Sequence, residues 1–586
     1  AVAERAAAWS PDGSQIAFLD HQDQLFAVDV ATGEVEKLHD TLPGPGHPSW
    51  SANGRFIAVS ALRPYSTRFR EGTNQILTIS LDGKPDRYFA PIPHRSIGAR
   101  GWPNGPVWSP DGRMMAYVME GTLWISPVSP TGEPIGPPYR LTAELADSPS
   151  WTGDSRHLLY QSVDRLMMIS VADGSSREVP LKLAWKPSIP DGSLVVHAGR
   201  LFDGRQPEVR TDVDIIVEEN RIRSIQPHSD RLHGENLVDA SGQTVMPGLI
   251  ESHTHHRKWY GQVLGRIWLS YGITTVQIMG GNPYEYLEDL ESFASGTRPG
   301  PRVFFTGNSF DGMRSRDLNL DAGPQLEMQL ERARILDYDL IKTYALLPDL
   351  LQKRVVEFAH RHGMAVSSHE LYPAVSYGAD GVAHLGAASR RGYSPKITSL
   401  NHSYQDVIDL VVQSGVALTS TLVVDGFPAM MAHDPAILDD PRFGQLAPAW
   451  TVQSIRDRVA RAGRGQFREE LLKAGGQTIV NMVAAGGRIV AGTDAPIVPY
   501  GLSLHTELES YVHYGLSPFQ ALQAATWAAA QALGVGQHLG TIESGKLADM
   551  VIVDGNPLLD IRDARRVRRV LKNGEVFDLA VLTRKE

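Results

Sequence analysis

Four stretches of the chain open on tryptophan, turn tightly and run on as an alternating, β-rich segment. They are WSPDGSQIAFLD from Trp9, WSANGRFIAVSA from Trp50, WSPDGRMMAYVM from Trp108 and WTGDSRHLLYQS from Trp151. Three of them reach a second strand and turn, as QLFAVDVATGE, QILTISLDGKP and LMMISVADGSS. The spacing is about 41–43 residues, stretched once by an insertion around Arg63–Asn74, and that is the period of a four-stranded propeller blade. Asp-Gly and Asn-Gly supply the tight turns. Residues 1–182 are therefore predicted to form a partial β-propeller of about four blades. Four is the low end for closure, and an open fan exposes strand edges and apolar faces. The remaining blades are expected upstream, on a second polypeptide or on further copies of this chain.

A chain of 586 residues exceeds what one hydrophobic core organises. From about Leu183 the pattern changes to short strands, SLVVHAGRLFDG, DIIVEENRIRSIQ and NLVDASGQTVMPG, matched near the other end by GKLADMVIVDGNPL and VRRVLKNGEVFD. Between these flanks short apolar runs such as GITTVQIM, DLIKTYA, MAVSSHE and RIVAGTD alternate with helical patterns such as LPDLLQKRVVEFAHRHG and SPFQALQAATWAAAQALG. Repeated βα units predict a (β/α)8 TIM-like barrel over 248–537. The flanks, 183–247 plus 538–582, are predicted to pair as a composite β-sandwich, since neither has enough strands for a core. The net charge of −10 leaves no basic excess for phosphates and argues against nucleic acid. No apolar run approaches the roughly 18–20 residues of a membrane span. With no cysteine, thiolate ligands, disulfides and a Cys nucleophile are excluded.

Polar residues at the ends of the barrel strands carry the chemistry. In VMPGLIESHTHHRKW, His253 and His255 point to one face of a strand, because side chains alternate. They fall at its C-terminal end, where barrels place their sites, and two imidazoles at that spacing can share a divalent cation. His256 points to the other face and is assigned a structural role. Lys342 ends DLIK, His369 ends AVSSH, His384 ends GVAH and Asp494 ends RIVAGTD.

In this order, HxH, Lys, His, His, Asp, the chain resembles the amidohydrolase superfamily over roughly Leu194–Asp578, with prolidase- and imidazolonepropionase-like binuclear members most similar. The Trp-turn repeats resemble the TolB-like, WD40-like propeller that precedes the hydrolase in one subgroup. The resemblance implies two divalent metal ions, zinc foremost with Mn, Fe or Co as alternatives. His253, His255 and Asp494 would bind one and His369 and His384 the other. A lysine ammonium has no lone pair, so Lys342 would serve only as a carbamate, a carboxylated lysine bridging the pair. Water between the cations would become the nucleophile, and Asp494 would act as general base and acid. The expected reaction is hydrolysis of an amide-type C–N bond in a dipeptide, an N-acyl amino acid or a cyclic amide.

Two other functions stay open. If Lys342 is instead a salt-bridge partner, the site is mononuclear, and a deaminase or ring-opening hydrolase results, with Glu370 as a proton-shuttling carboxylate, although strand alternation turns Glu370 away from the lumen. A catalytically inactive, propeller-based binding protein predicts a broken ligand set, yet all six residues are present. For substrate binding the candidates are Tyr344, Arg390, Arg391 and His505, with Asp311 and Asp425 on neighbouring loops. TolB-type repeats favour a periplasmic or secreted location, although no signal peptide is visible in this chain.

Overall fold

The computed structural model describes residues 5–67, 71–98, 102–232, 234, 236–312, 318–320, 323–386, 396–398, 400, 402–462 and 466–584. The chain forms two compact units: Ala1–Ala184 with Gly307–Gly363, and Trp185–Thr306 with Met364–Glu586.

In the first unit the Trp-turn motif builds the same local structure four times. Ser10 donates its hydroxyl to Asp12 at 2.7 Å and accepts the Gln15 N–H at 2.9 Å. Ser51 and Asn53, Ser109 and Asp111, and Thr152 and Asp154 repeat the first bond at 2.8, 2.6 and 2.6 Å. A side chain that satisfies the turn's backbone in this way fixes where the following strand starts. The strands then pair antiparallel in four separate four-stranded sheets, each in simple chain order. Apolar clusters lie between consecutive sheets. Leu19, Leu25 and Trp50 pack with Ile57 and Leu77, Phe56 and Ile76 with Trp108 and Tyr117, and Ala116 and Ile125 with Leu158 and Tyr160. Each blade thus finds its core against its neighbour, which is the propeller-like arrangement the period requires. The tryptophan clamps that contact: Trp50 Nε1 donates to Ala8 O at 3.1 Å and Trp151 Nε1 to Val107 O at 3.1 Å. Trp9, at the start of the first blade, is 61% exposed.

The same unit holds the strand Leu340–Thr343 and the helices Gly323–Ile335 and Asp349–Arg361. Arg332 of the first helix reaches Asp147 of the fourth blade at 2.6 Å, with both side chains almost fully buried. Asn104 donates to the other Asp147 oxygen at 3.1 Å, and the Arg332 guanidinium lies 5.5 Å from the Trp102 ring centroid.

In the second unit the two β-rich flanks form one continuous sheet of seven strands. Its order is Arg221–Pro227, Arg210–Glu218, Ser193–Leu201, Leu237–Pro247, Met550–Val553, Val567–Lys572, Glu575–Asp578. The join between flanks is antiparallel, from Thr244 opposite Val553 to Pro247 opposite Met550. The edge strand also folds back on the C-terminal flank, with Ile222 N–H donating to Lys546 O at 2.9 Å and Gly545 N–H to Ile222 O at 2.8 Å. One apolar core serves both flanks, including Val196, Ile215, Val217, Met550, Ile552 and Leu571.

From this sheet the chain passes directly into parallel strands alternating with helices. They are Leu249–Thr254, Ile273–Ile278, Arg302–Phe305, Ala365–Ser368, Gly381–Ala383, Ala417–Thr419 and Arg488–Val490. First and last are joined where Ser252 N–H donates to Ala491 O at 3.0 Å and Thr254 bridges Ala495 in parallel. This is a (β/α)8-type barrel fold. The predicted helix SPFQALQAATWAAAQALG is interrupted. It forms Pro518–Ala524, opened by a Ser517–Gln520 capping box, and Trp527–Ala532. Between them the carbonyls of Ala524 and Ala525 accept the N–H groups of Ala491 and Ile250 at 2.9 and 2.7 Å. Those carbonyls are drawn out of the helix to satisfy the first and last barrel strands, which outweighs the helix propensity of an alanine-rich run. No helix among the described residues is long and apolar enough to cross a membrane.

Candidate metal centre

The first barrel strand, Leu249–Thr254, is buried along its whole length. A continuous buried run suits a parallel strand covered on both faces, and it places His253 at 1% exposure. His255 follows the strand's end, held by its N–H on Ala495 O at 2.8 Å and by Tyr500, whose hydroxyl donates to His255 O at 2.6 Å. After the last strand the chain turns so that the N–H groups of Thr493 and Asp494 both donate to His253 O, at 3.1 and 2.8 Å. Asp494 takes a left-handed φ of 57° there. His384, just past the strand Gly381–Ala383, has φ 64° and is secured by its N–H on Thr419 O at 2.7 Å. Two non-glycine residues in this region of φ/ψ space, both at strand ends, mark a backbone held out of its preferred conformation by its surroundings.

The turns bring side chains from four strand ends together. Asp494 Oδ1 lies 2.8 Å from His255 Nε2 and 3.5 Å from His253 Nε2, and its Oδ2 lies 3.9 Å from His384 Nε2. The His253 and His384 ring centroids are 4.5 Å apart, and those of His369 and His384 5.0 Å. A hydrogen bond of 2.8 Å between His384 Nδ1 and Thr421 Oγ1 leaves Nε2 as the nitrogen directed at Asp494. Donor atoms of His253, His384 and Asp494 all lie within 4.8 Å of one another. Imidazole nitrogens and a carboxylate oxygen, buried and convergent, are the donor set a borderline divalent cation such as zinc takes, so these residues fit one.

The supporting residues are as telling as the donors. Glu251 is buried, and its oxygens accept the N–H of His253 at 3.2 Å, the N–H of Thr493 at 2.9 Å and the Thr493 hydroxyl at 2.9 Å. Burial pushes its carboxyl up to about 8, against the pull of those three bonds. Gly492 lies where a Cβ would meet Thr419 Cγ2 at 2.5 Å and His253 Cβ at 2.8 Å. Lys396, also buried, donates to the carbonyls of His369 at 2.9 Å and Ala383 at 2.6 Å, tying the strands Ala365–Ser368 and Gly381–Ala383 behind their histidines. Burial lowers its ammonium to about 7, with Glu370 acting in the opposite sense. None of these three stands out in the sequence.

The remaining candidates fall on several elements. Lys342 is buried, at 3% exposure, on its strand in the first unit. Tyr344 is buried in that unit too, with its N–H on Phe310 O at 2.8 Å, and Asp311 accepts the Leu346 N–H at 2.8 Å. Arg390 and Arg391 lie outside the described residues, as does the Asp425 side chain. His505, a further substrate-binding candidate, lies in the second unit. Its ring is buried in the helix Leu502–His513 and bonds Tyr271 O at 2.8 Å. The ring also packs against Tyr271, with centroids 6.0 Å apart. His256 pairs with Asp289 at 3.0 Å and Glu285 at 3.5 Å. Burial opposes its charge, but the two carboxylates prevail and hold the ring at about 9.

The model of the amidohydrolase family matches residues 244–577. The chain belongs to the amidohydrolase family. An imidazolonepropionase from Streptomyces coelicolor is 23% identical to this amidohydrolase over 382 residues, 62% of this chain and 90% of that one. A 5-methylthioadenosine/S-adenosylhomocysteine deaminase from Syntrophomonas wolfei is 23% identical over 351 residues, 55% and 75% of the two chains. A Xaa-Pro dipeptidase solved with methionine bound in its active site shares the fold with a TM-score of 0.52 at 22% identity, over 66% of this chain and all of the other. The amidohydrolase is thus a metal-dependent hydrolase of C–N bonds, carrying a four-bladed propeller-like region at its N-terminal side.

Proposed function

We propose that the enzyme hydrolyses an amide C–N bond of a dipeptide, an N-acyl amino acid or a cyclic amide, with Asp494 moving the proton. The observation that supports this most is the position of Asp494, whose two oxygens face three imidazoles at 2.8, 3.5 and 3.9 Å. Two divalent cations, zinc foremost, would polarise the scissile carbonyl and acidify water there. His253, His255 and Asp494 would hold one and His369 and His384 the other, with carboxylated Lys342 as the shared ligand. Asp494 takes a proton from the attacking water and returns it to the leaving nitrogen as the C–N bond breaks. Its placement by backbone bonds to His253 O keeps that carboxylate from swinging away. Tyr344, Arg390 and Arg391 are proposed to meet the substrate.

The test is a hydrolysis screen over dipeptides, N-acyl amino acids and cyclic amides with zinc, manganese and bicarbonate, alongside metal counting. About two metal equivalents at the Asp494 centre with amide cleavage supports the proposal. One equivalent there with ammonia release or ring opening supports the mononuclear alternative, which the relationship to a deaminase keeps in play.

A further inference from the structure

The described residues contain a second cluster of imidazole and carboxylate donors, and no residue in it belongs to the Asp494 group. It lies on the composite sheet. His197 stands directly opposite Asp214 in the register of the strands Ser193–Leu201 and Arg210–Glu218, so both side chains leave the same face. His228 follows the next strand, Arg221–Pro227, and continues its ladder with an N–H bond to Asp212 O at 3.0 Å. Three neighbouring strands thus deliver one donor each to a single spot. The rings of His197 and His228 stack with centroids 3.8 Å apart and planes 9° from parallel.

We infer that His197, Asp214 and His228 form a second cation site, taking a borderline divalent transition ion such as zinc, cobalt, nickel or copper. One donor atom from each lies within 4.8 Å of the other two. Two nitrogens and a carboxylate without thiolate suit these ions and not the all-oxygen preference of calcium or magnesium.

The surroundings are those of ligands already oriented. Asp214 is fully buried, and its Oδ2 accepts the Ser229 N–H at 2.8 Å, while Oδ1 faces His228 Nδ1 at 3.2 Å. The outer nitrogen of His228, Nε2, meets Asp230 at 3.3 Å, and His197 Nε2 meets Asp212 at 3.0 Å. A carboxylate on the far nitrogen of a ligating histidine fixes its tautomer and raises its basicity. Charge favours a cation as well. Asp212, Asp214 and Asp230 surround the two imidazoles. A bound ion would tie together three strands of the sheet that joins the chain's two flanks.

The test is equilibrium dialysis of the full chain against zinc alone, with metal counted per chain and thermal unfolding followed with and without zinc. Wild type is compared with His228→Gln, His197→Gln and the double variant. The expected result is one equivalent fewer in the double variant, or at least a tenfold weaker affinity for that equivalent, together with loss of part of the zinc-dependent rise in melting temperature. His228→Gln alone removes the more exposed donor and guards against a folding defect in the other variants. Equal stoichiometry and equal melting shifts in wild type and His228→Gln would overturn the inference and leave an ion-pair cluster only. Because the comparison is a difference between proteins with the same Asp494 centre, failure there leaves this result readable.

Discussion

Glu251 and Thr493, 242 positions apart, are joined twice: one carboxylate oxygen accepts the Thr493 N–H at 2.9 Å and the other its hydroxyl at 2.9 Å. The same carboxyl also accepts the His253 N–H, so one buried group sets the spacing between the strand carrying His253 and the turn carrying Asp494. Truncation leaves the His253 N–H and the Thr493 hydroxyl without that acceptor in a dry interior, at a cost of about 1–3 kcal/mol for each one left unsatisfied, while the Thr493 N–H keeps its bond to His253 O. Glu251→Ala is expected to lower zinc occupancy and hydrolysis together, with kcat falling more than KM rises. Glu251→Gln, which keeps one carbonyl acceptor, should recover part of both. Metal analysis and steady-state kinetics on the two variants check this.

Gly492 acts on the same histidine by space alone. A methyl group there meets the His253 backbone nitrogen at 2.9 Å and the Thr419 methyl at 2.5 Å, closer than real contacts allow. Gly492→Ala should fold and keep its secondary structure, yet lose roughly 100-fold in kcat/KM, the scale expected of a catalytic ligand displaced by about 1 Å. Unchanged kinetics with unchanged metal content would refute the role.

Lys342 separates the two chemistries. Lys342→Ala is expected to drop metal content at the Asp494 centre from about two equivalents towards one and to lower activity in step, with partial rescue by short carboxylic acids. Full activity without added acid would remove the binuclear proposal.

Much of this is legible in the sequence, for physical reasons. The blade repeat is local: a Ser or Thr, an Asp or Asn and a following strand within a few residues, so the turn chemistry can be read directly. His253, His369, His384 and Asp494 were accessible because each terminates an apolar run, and barrel strands project their last residues to one mouth. Glu251, Gly492 and Lys396 were not, since each matters through what it touches across distant sequence. His505 is a similar case: its place in SLHTELE says helix, and only packing decides which face of that helix meets Tyr271. The interrupted helix at Ala525 is the plainest case of tertiary override, because the competing hydrogen bonds come from Ile250 and Ala491.

The buried ion pair of the first unit is expected to behave asymmetrically. Arg332 and Asp147 are 3% and 2% exposed at the side chain and 2.6 Å apart. Removing one partner strands the other charge in the interior, so Arg332→Ala should cost about 3–5 kcal/mol. Replacing both with apolar residues of similar volume should cost far less, since the desolvation of the pair is relieved along with its attraction. Urea unfolding of the single and double variants, followed by tryptophan fluorescence, measures the difference. A single variant within about 1 kcal/mol of wild type would show that the pair is not a structural anchor.

His505 gives the protein a directional response to acid. Burial, opposed by its bond to Tyr271 O, lowers the ring to about 3 from its usual 6.5, so the folded state keeps it neutral while the unfolded state protonates. The unfolded state therefore binds more protons between those values, and stability falls as pH drops below about 6.5. The loss approaches roughly 1.4 kcal/mol per pH unit for this one group and ends near pH 3. Above pH 6.5 both states are neutral at this position and the contribution is constant. His505→Gln removes the titration, so its stability should depend less steeply on pH between 6.5 and 4.5 than wild type, although it is less stable at pH 7. Denaturant midpoints of both proteins across that window check the slope. Parallel curves would mean that the ring is protonated in place, and that the packing around Tyr271 accommodates its charge.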